Sequence, residues 1–139
     1  MERNWFSNFI KFDRPMAYQG MLFRTPEHFY QAMKSRDISY RQRVANAKTP
    51  TQARQFGKKI KLRPDWNSIK LDVMRYALKY KFKADTPQGK KLIAFGGPII
   101  EWNLWHDNFW GKCICPKCKK AKPSLNHLGN LLMEIRNEL

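Results

Sequence analysis

What this sequence lacks narrows it first. No apolar run approaches the roughly 18–20 residues of a membrane span, and the opening MERNWFSNF has no apolar signal-peptide core. The expectation is a protein of the cytoplasm, bacterial or of a phage-infected cell, with no membrane partner. Cysteine is scarce: Cys113, Cys115 and Cys118 are an odd, clustered set, which does not read as a disulfide framework. There is no GxxxxGKS/T, GxGxxG or HExxH, so phosphate-loop nucleotide hydrolysis and zinc-protease chemistry lose their usual marks. No internal repeat, low-complexity tract or linker divides the chain. Acid is short too, 11 Asp+Glu against 27 Lys+Arg, a formal charge of +16. So basic a chain attracts phosphate, on a nucleotide, a nucleic acid or an anionic surface.

What is present suits one packed core. The 139 residues are 42% apolar and 14% aromatic, enough to fold as a single domain over residues 1–139. Trp5 to Phe9 and Met16 to Phe23 read as extended segments, the second turning at Gln19-Gly20. Thr25-Pro26-Glu27 and Thr49-Pro50 are helix starts: threonine caps free N–H groups and proline suits the first helical position. The first of these helices carries Phe29, Ala32 and Met33 inward; the second is expected to stop at Gly57. The longest helix follows Asp65-Trp66, with Ile69, Val73, Tyr76 or Ala77, and Tyr80 on one buried face. Thr86-Pro87 opens a short helix ending before Gly96-Gly97, and Pro98 to Trp102 looks like a strand. The last helix turns Leu128, Leu131, Leu132 and Ile135 inward and Arg136 and Glu138 outward. The sum is a predominantly helical α+β domain with a few short strands.

Three constellations could carry chemistry. Glu27, Gln31 and Lys34 share one stripe of the first helix, a carboxylate, an amide and an amine aligned for a sugar hydroxyl, a water and a nucleophile. By spacing alone the stripe reads first as a solvated face, with Glu27 serving the helix dipole. Trp102 to Gly111 holds three tryptophans, an aspartate and two asparagines, the aromatic faces and polar groups that a nucleobase pocket needs. The same tryptophans could instead pack a core from a turn. In Cys113-Ile-Cys115-Pro-Lys-Cys118, three thiolates and one histidine, His106 or His127, would complete a structural zinc site; otherwise these are reduced thiols in a surface loop. The runs Lys58 to Arg63, Lys79 to Lys83 and Lys117 to Lys122 are expected to be mostly solvated faces, some rimming an anion site.

In order along the chain, several stretches resemble the NADAR family. They are Phe6-Ser7-Asn8-Phe9, Thr25 to Lys34, Ala47 to Pro50, Gly57, Asp65-Trp66, Val73 to Arg75, Lys81-Phe82, Glu101, Asp107 to Gly111 and Asn126 to Arg136. The resemblance implies hydrolysis of a ribosyl C–N bond with no cofactor required for catalysis. The substrate would be phosphorylated: either DNA or RNA carrying ADP-ribose on guanine, or a ribosylamino-pyrimidine phosphate of the riboflavin pathway. It also implies a pocket of Asn8, Glu27, Gln31, Lys34, Trp66, Glu101, Asp107, Trp110 and Asn126. There Glu27, with Asp107 second, would stabilise the sugar cation or activate water, Lys34 would be the amine for a Schiff base, and Trp66 and Trp110 would stack the base. Two readings from other classes are a non-catalytic module binding ADP-ribose or nucleic acid, and a zinc-stabilised nucleic-acid binder. The cysteine loop stands where many members have glycines, which bears on the substrate and not on the reaction.

Overall fold

The structure, a computed structural model, describes residues 6–121 and 123–139, with backbone alone at 119–121. Trp5, Lys122 and the side chains of Lys119 and Lys120 therefore lie outside the described residues. The chain forms two compact units, one Asn8–Lys81 and one of the described residues before Asn8 with Phe82–Leu139.

In the Asn8–Lys81 unit, β1 (Met16–Tyr18) and β2 (Met21–Phe23) pair antiparallel, with Tyr18 opposite Met21. The two turn residues, Gln19 and Gly20, both have positive φ, 50° and 79°, the conformation a tight hairpin with right-handed strands requires. Helices α1 (Pro26–Ala32), α2 (Ile38–Ala45), α3 (Pro50–Lys59) and α4 (Trp66–Lys81) follow. The hydroxyls of Thr25 and Thr49 accept from His28 N and Gln52 N, so both Thr-Pro starts cap as expected. Asp37 caps α2 in the same way.

Helix α1 is the hub. It packs against α2, α3 and α4, and all seven of its residues are buried. Glu27 and Gln31 are therefore not on the solvated face that spacing favoured. Lys34, expected on the same helix, lies in the turn past its end, half-buried and with its N–H donating to Gln31 O. Two further expectations shift in this unit. Helix α3 runs past Gly57 to Lys59, because the glycine serves side-chain clearance and not termination. On α4 the buried residues are Trp66, Met74, Ala77, Leu78 and Lys81, while Tyr76 is 52% exposed. The tyrosines cover its margin, where their rings pack. Tyr76 stacks on Phe29, and the Tyr80 hydroxyl donates to Pro15 O.

The second unit contains α5 (Pro87–Ala94), β3 (Trp102–Asn103), β4 (Lys112–Cys113), α6 (Pro116–Ala121) and α7 (His127–Glu138). Thr86 caps α5 through Gly89 N. Helix α7 buries Leu128, Leu131, Leu132 and Ile135 as its pattern predicts, and it packs on α5. Arg136 does not point outward: its guanidinium donates to the carbonyls of Phe95 and Gly97, finishing the end of α5. Phe6 packs edge-on against Phe82 and Phe95, and residues 6–10 form helical turn and bend where strand was expected over the opening. The strand expected over residues 98–102 shrinks to Trp102–Asn103, paired parallel with Lys112–Cys113. Pro98 has no N–H, and Ile99 O and Glu101 N are bonded by the side chain of Asn126. Among the described residues there are seven helices and a few short strands, the α+β class expected, and no helix is long and apolar enough to cross a membrane.

Candidate functional site

The Asn8–Lys81 unit assembles Asn8, Glu27, Gln31 and Lys34. Glu27 is 4% exposed, and both carboxylate oxygens are held by amides. Asn8 Nδ2 donates to Oε1 and Gln31 Nε2 to Oε2, each at 2.6 Å, while Glu27 N donates to Asn8 O. Burial raises the Glu27 pKa above its ordinary 4.5, against the opposing pull of Gln31, Arg54, Lys34 and Asn8. Lys34 is moved the other way: burial lowers its pKa, helped by Arg54, Lys70 and Lys58, while the Glu27 charge opposes the change. A carboxyl drawn upward on α1 and an amine drawn downward in the turn after it are both brought closer to neutral-pH proton transfer.

The surroundings keep this stripe in place. Lys34 Nζ lies 5.8 Å from the Tyr30 ring centre, and Tyr30 meets the buried Trp66 edge-on at 5.0 Å. Tyr40 donates to Gln31 O at 2.8 Å. Gln31 Oε1 is buried without a hydrogen-bond partner. It occupies the space a Cβ of Gly57 would need, and Lys34 Nζ lies within 3.3 Å of that point. Arg54 and Gly57, three apart on α3, thus belong to the site, and sequence reasoning missed both. Their i, i+3 spacing beside the buried Ala53 was the available signal. His28 is a fixed structural residue, bonded to Thr25 Oγ1 and Ala47 O with its pKa lowered by burial.

The second unit holds Glu101, Asp107, Trp110 and Asn126. Asp107 Oδ1 accepts from Phe109 N and Trp110 N, closing a turn, while Asn103 Oδ1 accepts from Trp105 N and Asp107 N. The carbonyls of Asn108, Phe109 and Trp110 accept from Leu125, His127 and Leu128, which seats the turn on the start of α7. Asn126, at φ 50°, bridges Ile99 O and Glu101 N. The tryptophans do not fill a core: Trp102 is 37% and Trp105 64% exposed, and Lys112 Nζ lies 5.3 Å from the Trp102 ring centre. The sequence-predicted residues thus fall into two groups, one in each unit.

Beside this turn lies a His/Cys cluster that could hold a metal ion. His106, Cys113, Cys115 and Cys118 offer ligand atoms all within 4.8 Å of one another. His127 is engaged elsewhere, tilted against Phe109 at 4.5 Å. The Cys115 thiol lies well below its usual range, chiefly because the Cys118 amide donates to it.

The model of the NADAR domain matches residues 1–139. The N-glycosidase YbiA of Shigella flexneri serotype 5b is 35% identical over 136 residues, covering 96% of this chain and 80% of that protein. A riboflavin biosynthesis protein of Vibrio vulnificus is 31% identical over 126 residues, 89% of this chain and 33% of that longer protein. The NMR structure of the Escherichia coli protein YbiA superposes with a TM-score of 0.77 at 32% identity, covering 96% of this chain and 76% of that one.

Proposed function

Because this chain belongs to the NADAR domain family and is an N-glycosidase, we propose that Glu27 carries hydrolysis of a ribosyl C–N bond, with ADP-ribose on a guanine base of nucleic acid as substrate. The observation that carries the reading is Glu27 itself: a carboxylate 4% exposed, held by two amides, beside an amine. Such a group is aimed and desolvated in advance of the reaction. As the C–N bond breaks, its electron pair goes to the base nitrogen, which takes up a proton. Positive charge develops on the ribose, Glu27 stabilises it, and Glu27 accepts the proton of the water that adds to the anomeric carbon. Asp107 is the second carboxylate of the proposal. Asn8 and Gln31 hold Glu27, and Trp66, buried against Tyr30, backs that cluster and does not stack a base. In the other unit Trp110 is the base-stacking ring of the proposal, with Asn126 bonded to Glu101 N beside it. The family model's span supports reading residues 1–139 as one domain.

Lys34 gives a second route. An amine whose pKa burial lowers has a larger neutral fraction. It can add to the anomeric carbon of the ring-opened sugar and expel the base as its protonated amine, leaving a Schiff base. Water then hydrolyses that C–N bond to free the sugar and restore the lysine. Borohydride trapping of a protein–sugar adduct, lost in Lys34→Ala, distinguishes the two routes.

The polymeric substrate is favoured by the +16 charge and by Trp102 and Trp105, exposed rings of the kind on which unpaired bases stack. The relative named for riboflavin biosynthesis supports the alternative, a ribosylamino-pyrimidine phosphate. The test is release of ADP-ribose from a guanine-ADP-ribosylated oligonucleotide by wild type, Glu27→Ala and Lys34→Ala. Release by wild type alone is expected. No release, with turnover of the pyrimidine riboside, would move the substrate to the alternative. Silence on both would leave a module that binds ADP-ribose or nucleic acid without cutting it.

A further inference from the structure

We infer that His106, Cys113, Cys115 and Cys118 form a closed structural zinc site that fixes the loop carrying Asp107 and Trp110. Distances decide this. His106 Nδ1 lies 3.2 Å from Cys118 Sγ, 3.4 Å from Cys115 Sγ and 3.8 Å from Cys113 Sγ. Zinc bonds of about 2.3 Å to sulfur and about 2.0–2.1 Å to nitrogen, at a tetrahedral angle, put ligand nitrogen and sulfur about 3.6 Å apart. The three observed distances bracket that value. Hydrogen bonding does not account for the convergence, since a neutral imidazole nitrogen has one lone pair and cannot serve three thiols. A disulfide would use two sulfurs and strand the third with the histidine.

The backbone is also arranged for a metal. His106 sits at φ 68°, uncommon outside glycine, and in that conformation its Nδ1 faces the three sulfurs. His106 N donates to Cys113 Sγ at 3.3 Å and Cys118 N to Cys115 Sγ at 3.4 Å, the outer-shell N–H groups that steady thiolate ligands. Cys113 is further pinned by Asn108 Oδ1, which accepts from its N–H. Four protein ligands leave no open position, so the metal serves the fold and not the hydrolysis. Binding of Zn²⁺ releases up to three thiol protons and leaves the site with a net charge of −1.

The loop needs such a clamp. Leu104 and Trp105 are each 64% exposed and contribute little burial, so the metal would supply the order that a core otherwise gives. It ties the residue before Asp107 to β4 and to the start of α6.

The test reads metal and thiols in the 139-residue chain, independently of any substrate. Purified protein should retain one zinc per chain, and its three cysteines should resist maleimide until a strong chelator is added. His106→Gln should lower the zinc retained through dialysis, while His127→Gln should keep it. In the wild type, chelation should also raise hydrogen exchange at residues 103–113. The inference is overturned if wild type offered zinc binds none and alkylates equally with and without chelator. A missing pair of thiols, or loss of zinc in His127→Gln but not His106→Gln, also overturns it.

Discussion

Alanine at position 57 should weaken both the fold and the reaction, although glycine-to-alanine inside a helix ordinarily stabilises. On α3 alone the substitution gains about 1 kcal/mol of helix propensity. Here the new Cβ would occupy the place of Gln31 Oε1, with Lys34 Nζ at its edge. Gln31 is 4% exposed and donates to Glu27 Oε2, so it can yield only by abandoning that bond. A hydrogen bond to a charged group contributes about 1.5–3 kcal/mol; forcing Cβ in without yielding costs about 1–3 kcal/mol of overpacking. The net should be a loss of about 0.5–2 kcal/mol in urea unfolding once the helix gain is subtracted. Because Gln31 positions Glu27, kcat should fall on the order of tenfold to a hundredfold, with KM less affected. Unfolding and turnover on the same preparations provide the assay. A Gly57→Ala protein that is more stable and equally active would refute the reasoning, since the glycine would then be incidental to the site.

Glu27→Gln separates function from stability. Burial raises the Glu27 pKa, so the folded chain holds that proton more tightly than the unfolded chain does. The stability it carries is complete below the ordinary 4.5 and is lost as pH rises through the folded-state value. The glutamine variant should show a smaller loss over that window in denaturation at several pH values, and a kcat lower by about a hundredfold or more; an unchanged kcat would remove Glu27 from the chemistry. Asn126→Ala deletes two backbone-directed bonds and places alanine at φ 50°. About 2–4 kcal/mol of unfolding free energy should be lost. Asn126→Gly should recover the conformational part only, and a loss under about 0.5 kcal/mol in the alanine variant would refute the bridge.

Local chemistry is what the sequence expressed. The three Thr-Pro starts, the Gln19-Gly20 turn and the apolar stripe of α7 appear where their residues predict, because caps, turns and periodic faces are decided within a few neighbours. The ordered motifs also carried the family. Relations set by distant partners were not legible. Spacing put Glu27, Gln31 and Lys34 on one stripe and left it looking solvated. Packing of α1 by three other helices buries Glu27 and Gln31, and Lys34 joins them from the turn past the helix end with its proton affinity shifted too. Gly57 reads as a stop from its own helix, and as clearance only once Gln31 lies across from it. Likewise three cysteines and two flanking histidines left the fourth ligand open. The backbone brings His106, at φ 68°, within reach of the three thiols, while His127 packs against Phe109. Sequence fixes which groups are present and their order along the chain; burial and proximity, which set pKa, clearance and ligation, arise only when segments far apart in that order come within a few ångströms.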